Sequence, residues 1–152
     1  MLECVILIGL PGAGKTTFYR RHFPTHTHIS KDLMPNASQR DARQRRLIDQ
    51  ALAAGQSVVV DNTHPTKAER APIIEMARAR AARVIGYFVD VTTRVAVARN
   101  AGRAGREKVP NVAIFTVAKR LQRPALDEGF DQLFRVEITE DREFQVTEIT
   151  TA

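Results

Sequence analysis

Residues 4–17 read Cys4-Val5-Ile6-Leu7-Ile8-Gly9-Leu10-Pro11-Gly12-Ala13-Gly14-Lys15-Thr16-Thr17. The first five are uniformly apolar, the pattern of a strand buried on both faces. The strand runs directly into a segment where Gly9 and Gly14 bracket four residues and Lys15 and Thr16 follow, the P-loop pattern GxxxxGK[ST]. Phosphate binding needs these residue types in this order. Glycines let the backbone approach phosphate oxygens and adopt angles that a Cβ forbids. The N–H groups of Gly12, Ala13, Gly14, Lys15, Thr16 and Thr17 then face the anion from the loop and the start of the next helix. Lys15 reaches the β- and γ-phosphates as a point charge, and the Thr16 hydroxyl is placed to ligate Mg²⁺. A helix is expected from the loop's end through Tyr19 to about His22, stopping before Pro24.

Working outward, apolar runs alternate with helix-like segments. His26–Ser30 reads as a short weak strand, Ala37–Ala54 as a helix ended by Gly55, and Ser57–Val60 as a strong strand ending at Asp61. Thr66–Ala82 is alanine-rich and helical, with Pro72 in an early turn. Arg83–Asp90 is the third strong strand, followed by helices over Thr92–Ala101 and Val112–Gln122. Leu133–Ile138 and Phe144–Ile149 are the last strands, joined by the polar turn Thr139-Glu140-Asp141-Arg142. The alternation predicts an α/β domain over residues 1–152: a mainly parallel five-stranded sheet with helices on both faces and a C-terminal edge hairpin.

Two aspartates follow strands. In an open α/β sheet the ligand crevice lies beyond the carboxyl ends of the strands. Asp61 closes Val58-Val59-Val60-Asp61, where a carboxylate can hold Mg²⁺ directly or through water. Asp32, in Ser30-Lys31-Asp32, sits where an acceptor hydroxyl can lie in line with the γ-phosphate and lose its proton to the carboxylate. The alternative for Asp32 is a turn or helix N-cap residue.

Cations gather in two places. Arg99, Arg103 and Arg106 lie in Arg99-Asn100-Ala101-Gly102-Arg103-Ala104-Gly105-Arg106. Arginines among glycines after a helix suggest a lid, about residues 99–110, that closes over triphosphate, takes up charge on the transferred group and excludes water; the alternative is a solvated basic loop. Arg40, Arg43, Arg45 and Arg46 form a second group on the helix after Asp32, and Arg40, Arg43 and Arg46 recur at three-residue spacing and share roughly one helix face. They read either as contacts to an acceptor's phosphates or, more simply, as a solvated face.

Composition sets the frame. The chain has 152 residues, 43% of them apolar, enough for one real core. Lys+Arg 23 against Asp+Glu 17 gives +6, a balance that favours anionic partners such as nucleotides or nucleic acid. No apolar stretch reaches the roughly 20 residues of a membrane span. The N-terminus lacks a signal-peptide pattern. The single cysteine, Cys4, permits neither an internal disulfide framework nor a cysteine zinc site. These features suit a cytoplasmic protein without a membrane partner.

The motifs together resemble a known family. GLPGAGKTT, SKD, VVVDNTHPTKAERAPII, RNAGRAGR and RPALDEGFDQL are similar to the kinase domain of polynucleotide 5′-hydroxyl kinases, within the broader P-loop kinase group. The resemblance runs from about Val5 to Ile138; the P-loop is shared by many families, and VVVDNTHP and PALDEGF carry most of the specificity. It implies an adenylate-kinase-like strand order, ATP and Mg²⁺ as cofactors, and transfer of the γ-phosphate to the 5′-OH of a polynucleotide. Asp32 would be the general base, Lys15 the phosphate clamp, Thr16 and Asp61 the magnesium side, and Arg103 with Arg106 the lid arginines. Arg123 and Pro124 would flank the adenine. The chain also departs from the family. Phage members carry an arginine three residues after the catalytic aspartate, where this chain has Pro35, and no DxDx(T/V) phosphatase motif or DNA-end-binding module is evident. A small-molecule kinase for a nucleoside, sugar or antibiotic acceptor therefore stays open, as does a nucleotide-binding regulatory ATPase.

Overall fold

The computed structural model describes residues 1–34, 39–105 and 108–151. Pro35, the expected helix start at Ala37, and Arg106 lie outside the described residues.

Six strands form one sheet: β1 (Glu3–Ile8), β2 (Thr27–Ile29), β3 (Val58–Asp61), β4 (Arg83–Val89), β5 (Gln132–Ile138) and β6 (Phe144–Glu148). Their order is β2-β3-β1-β4-β5-β6. The first five are parallel, and β6 pairs antiparallel with β5 at the edge. This is the expected five-stranded parallel sheet with its edge hairpin. The helices are α1 (Lys15–His22), α2 (Arg40–Ala53), α3 (Lys67–Ala79), α4 (Thr93–Ala101) and α5 (Asn111–Arg120).

The uniform apolarity of β1 now has its cause. Cys4, Ile6 and Ile8 face one core with Ile48, Leu52, Ile73 and Ile74 of α2 and α3. Val5 and Leu7 face a second core with Phe18, Ala96 and Ile114 of α1, α4 and α5. Each position from Cys4 to Ile8 is buried, so none of these five is polar. Each such side chain contributes roughly 1.5–3 kcal/mol by leaving water.

Local chemistry sets the helix bounds. Thr66 and Thr92 cap α3 and α4, their Oγ1 atoms accepting from Glu69 N–H and Val95 N–H, both at 3.2 Å. The α3 helix runs through Pro72, whose ring removes the N–H that would bond the Ala68 carbonyl. It ends three residues short of the expected Ala82 because Ala81 turns left-handed, at φ 57°.

One buried ion pair joins distant segments. The fully buried Arg70 guanidinium donates to both Glu128 carboxylate oxygens, at 2.9 and 3.1 Å. It also donates to the carbonyls of His64 (2.7 Å) and Gln122 (3.1 Å). The two stretches that carried the family resemblance, DNTHPTKAER and PALDEGF, are thus held together by a single side chain.

Candidate active site

Because β1 to β5 are parallel, their carboxyl ends lie along one rim, and β1 at the centre delivers the P-loop there. A cleft of about 1180 Å³ opens along this rim. It is lined by Gly12, Gly14, Lys15, Thr16 and Thr17 of the P-loop, Lys31 and Asp32 after β2, Asp61–His64 after β3, and Arg99 and Arg103. Among the described residues nine cationic side chains line it against four acidic ones, so it is a site for a highly charged anion.

The loop is shaped by close approach. Gly12 takes φ 81°, and a Cβ there would stand 2.8 Å from the Ala96 carbonyl oxygen of α4. Gly14, at φ 103°, has the Arg99 guanidinium 3.0 Å from where its Cβ would be. Gly9 N–H donates to the Thr63 carbonyl at 3.0 Å, tying the loop to the end of β3. Any side chain at Gly12 would push α4 off the loop.

Lys15 is buried, and its Nζ donates to the carbonyls of Gly9 (3.0 Å) and Leu10 (2.7 Å). Burial pulls its pKa down to about 8; the Asp61 and Asp32 carboxylates oppose this and the Arg103 charge adds to it. The site therefore holds a cation at the limit of its charge, which phosphate would stabilise.

Asp61 ends β3 beside β1, in register with Leu7. Its Oδ2 accepts from Thr16 Oγ1 at 2.8 Å and from His28 Nε2 at 2.8 Å. Burial alone would raise this carboxyl. The His28 hydrogen bond, the Lys15 charge and the Thr16 hydroxyl outweigh it and hold the group below the usual carboxylate range. An ionised carboxylate and a hydroxyl at the mouth of a phosphate loop are hard oxygen donors of the kind that would hold Mg²⁺. Among the described residues there is no cluster of three or more His, Cys, Asp or Glu that would build a self-sufficient metal cage.

Asp32 sits in a one-turn 3₁₀ segment, Lys31–Leu33. The cap of that turn is Ser30, whose Oγ accepts from Asp32 N–H at 3.2 Å. The capping role considered for Asp32 is thus filled by its neighbour. The Asp32 side chain is exposed, lines the cleft and has no hydrogen-bond partner among the described residues. Its backbone is fixed from beneath: Lys31 N–H donates to Asn62 Oδ1 at 3.0 Å, and Asn62 Nδ2 donates to the buried Gln44 Oε1 at 2.6 Å.

Arg99 is part of α4, and its Nε donates to the Gly12 carbonyl at 3.0 Å, so it braces the loop. Arg103 lines the cleft within electrostatic reach of Lys15. The buried Asn100 clamps the base of the connection to α5, donating to the Val109 carbonyl (2.6 Å) and accepting from Val109 N–H (3.0 Å). In α2, Arg40 and Arg45 line the cleft, whereas Arg43 and Arg46 point to solvent. Arg123 and Pro124, given by family analogy to the adenine, lie outside the cleft; Arg123 instead pairs with Asp90 at 3.3 Å and covers the Phe88 ring at 5.3 Å.

Sequence reasoning missed the cleft residues Asn62, Gln44, His64 and Arg142, and also His28, which holds Asp61 without lining the cleft. His28 had a local signal, a histidine four residues before Asp32, but its role depends on β2 pairing with β3, which brings His28 level with Val59. It is also stacked on Tyr19, with ring centroids 4.1 Å apart and planes 10° apart.

Comparison with known proteins gives one family and a set of relatives. Residues 4–124 match the AAA domain family. The bifunctional polynucleotide phosphatase/kinase of Schizosaccharomyces pombe is 26% identical over 139 residues, which cover 88% of this chain but 33% of that protein. The chain therefore spans about a third of that relative's length. A gluconokinase from Sinorhizobium meliloti superimposes with a TM-score of 0.66 at 18% identity, covering 91% of this chain and 83% of the other. A fungal RNA kinase superimposes with a TM-score of 0.64 at 19% identity, covering 90% and 38%. At these identities the structural likenesses speak to fold. The family match takes in every strand from β1 to β4 and every helix, and with it the whole P-loop; the chain belongs to the AAA domain family, as a P-loop kinase domain built for phosphotransfer from a bound nucleotide.

Proposed function

We propose that the protein transfers the γ-phosphate of ATP to the 5′-hydroxyl of a polynucleotide. The observation that carries this is the Asp32 carboxylate, exposed in the cleft that also holds Lys15, Thr16 and Asp61 and without a hydrogen-bond partner among the described residues. The acceptor oxygen lies between Asp32 and the γ-phosphorus. As its bond to phosphorus forms, its proton passes to Asp32 and the bond from the γ-phosphorus to the bridging oxygen breaks, leaving ADP and a phosphorylated acceptor. Lys15 and Arg103 take up charge on the transferred group, with Arg99 holding the loop in shape. Thr16 and Asp61 are the residues that would hold Mg²⁺, which neutralises charge on the β- and γ-oxygens when bound. In this reading the connection from α4 to α5 acts as the lid and the protein works in the cytoplasm.

The polynucleotide is favoured by two observations: the cation-rich cleft and the likeness to the S. pombe protein. A second reading, a small-molecule kinase, is favoured by the gluconokinase likeness, which covers most of a chain of similar size. Incubation with γ-labelled ATP, Mg²⁺ and 5′-OH oligonucleotides of DNA and RNA, beside nucleosides and a sugar panel, separates them. Label on the oligonucleotide, lost about 10²–10⁴-fold in Asp32→Ala with ADP binding kept, is the expected result. Label on a small acceptor alone would transfer the assignment to it. ATP hydrolysis indifferent to every acceptor, and to Asp32→Ala, would leave a regulatory ATPase.

A further inference from the structure

The turn between β5 and β6 carries a feature that the transfer chemistry does not use. Thr139 N–H donates to the Glu143 carbonyl and Arg142 N–H to the Thr139 carbonyl, both at 2.9 Å, closing a tight hairpin. In this hairpin Arg142 takes φ 61°, the left-handed position that glycine fills at least cost. A non-glycine residue there carries strain that glycine would avoid, as Ala81 also does at the end of α3, so the position of the side chain must carry the argument. The Arg142 side chain lines the cleft. Among the described residues it has no side-chain partner; its neighbour Glu143 pairs with Arg21, at 3.8 Å. Its charge bears on Arg99, which burial, then Arg103, then Arg142 together hold below the ordinary arginine pKa.

Sheet order says which ligand group lies there. The P-loop follows the central strand β1, Asp32 follows the edge strand β2, and the Arg142 turn follows β5 on the opposite side of β1. The base of that turn touches the loop: Ile138 Cδ1 stands 3.5 Å from where a Gly14 Cβ would be. With the phosphates in the P-loop and the acceptor on the β2 side, the nucleoside of the donor must extend toward β4 and β5.

From this juxtaposition we propose that Arg142 is a nucleotide-binding residue whose guanidinium plane covers the base of the phosphate donor. The assignment rests on the phosphotransfer reading. Guanidinium groups stack on flat π-faces and carry charge that suits the adjoining phosphates. In this reading the left-handed strain at Arg142 accompanies a guanidinium placed where it lines the cleft.

Three variants test it, each measured for thermal stability and for ADP binding by calorimetry, with tripolyphosphate as a phosphate-only probe. Arg142→Gly and Arg142→Asn release the strain and remove the group. They are expected to raise Tm by about 2 °C, the effect of a small strain release in a domain of this size. They should weaken ADP about 3–30-fold, the range for a lost cation–π contact, and leave tripolyphosphate within about twofold. Arg142→Lys keeps the charge and the strain but not the plane; it should keep the wild-type Tm and lose part of the ADP affinity. Wild-type ADP affinity in Arg142→Gly, or equal losses for ADP and tripolyphosphate, overturns the base contact. Wild-type protein that binds no ADP removes the phosphotransfer reading as well, so the two failures are told apart.

Discussion

Exchanging Lys15 for methionine should change how stability responds to alkali. In the fold the Lys15 pKa lies at about 8, against an ordinary 10.5. Between these values the unfolded chain keeps a proton that the folded chain releases, so stability rises with pH. The burial penalty is fully present below pH 8 and is relieved by pH 10.5. An interval of about 2.5 pH units at about 1.4 kcal/mol each gives about 3 kcal/mol. A second buried group opposes this. The Cys4 thiol is pushed up from 9.0 to about 12 by burial, so it lowers stability as pH climbs through that window. Both proteins contain Cys4, and subtracting their curves removes it. Urea unfolding followed by far-UV circular dichroism at pH 7.5, 9 and 10.5 gives the difference. The wild type should gain about 3 kcal/mol on Lys15→Met across that span. Parallel curves would refute the claim that the fold strains to keep this ammonium charged. The same strain has a functional side: phosphate adds an anion beside the buried ammonium, so ADP affinity should decline as pH passes 8.

Three further perturbations probe the frame around the cleft. Arg70→Met leaves the Glu128 carboxylate buried without its cation and should cost about 3–5 kcal/mol in urea unfolding, most of it recovered when Glu128→Leu is added. His64 is buried and its pKa falls to about 4, chiefly by burial, with the Leu7 hydrogen bond opposing and the Lys31, Lys15 and Arg70 charges assisting. Stability should therefore drain away as pH falls from about 6.5 to 4, by about 3 kcal/mol, and His64→Asn should remove that part of the acid limb. Gly12→Ala should lower stability by more than Gly55→Ala: both glycines are left-handed, at φ 81° and 78°, but a Cβ on Gly55 meets nothing within 4 Å. Equal losses of about 1 kcal/mol in melting experiments would mean that α4 does not press on the loop.

The parts legible in the sequence were those whose cause is local. Val5, Ile6 and Leu7 announce a strand because three consecutive positions are apolar, and Gly12, Gly14, Lys15 and Thr16 announce a phosphate loop because the chemistry tolerates few substitutes. The rule that ligand crevices lie beyond strand ends points to Asp32 and Asp61, and both line the cleft. What stayed hidden depends on strand order. His28 reaches Asp61 only because β2 lies beside β3, and Arg142 overlooks the P-loop only because the β5 end lies on the same rim. Arg43 and Arg46 share a spacing with Arg40, yet the face of α2 turned to the cleft runs through Asp41, Gln44 and Arg45, since Ile48 and Leu52 must enter the core. Asn62 shows the same limit. Nothing local distinguishes it from a turn asparagine, but its side chain joins Gln44 of α2 to the Lys31 backbone.

That bridge bears on why acceptor identity is hard to read from this fold. The groups that position Asp32 are Ser30, Asn62 and Gln44, and Ser30 and Gln44 are buried. They hold the backbone that carries Asp32 before any acceptor arrives, and in the proposed reaction they would do so equally for a sugar or a nucleic acid. In the proposed reaction selectivity comes from side chains that line the cleft without holding Asp32. Arg45 on α2 and Arg120 beside Glu69 are of that kind. Cations of this sort bind a polyanionic acceptor by displacing its counterions, so the apparent affinity for an oligonucleotide should fall steeply with salt, by about one power of salt concentration for each phosphate engaged. A neutral acceptor has no counterions to release. An oligonucleotide affinity that is flat from 50 to 300 mM salt would mean that these arginines face solvent in function as well as in form, and the polynucleotide reading would lose its physical basis even if some label were transferred.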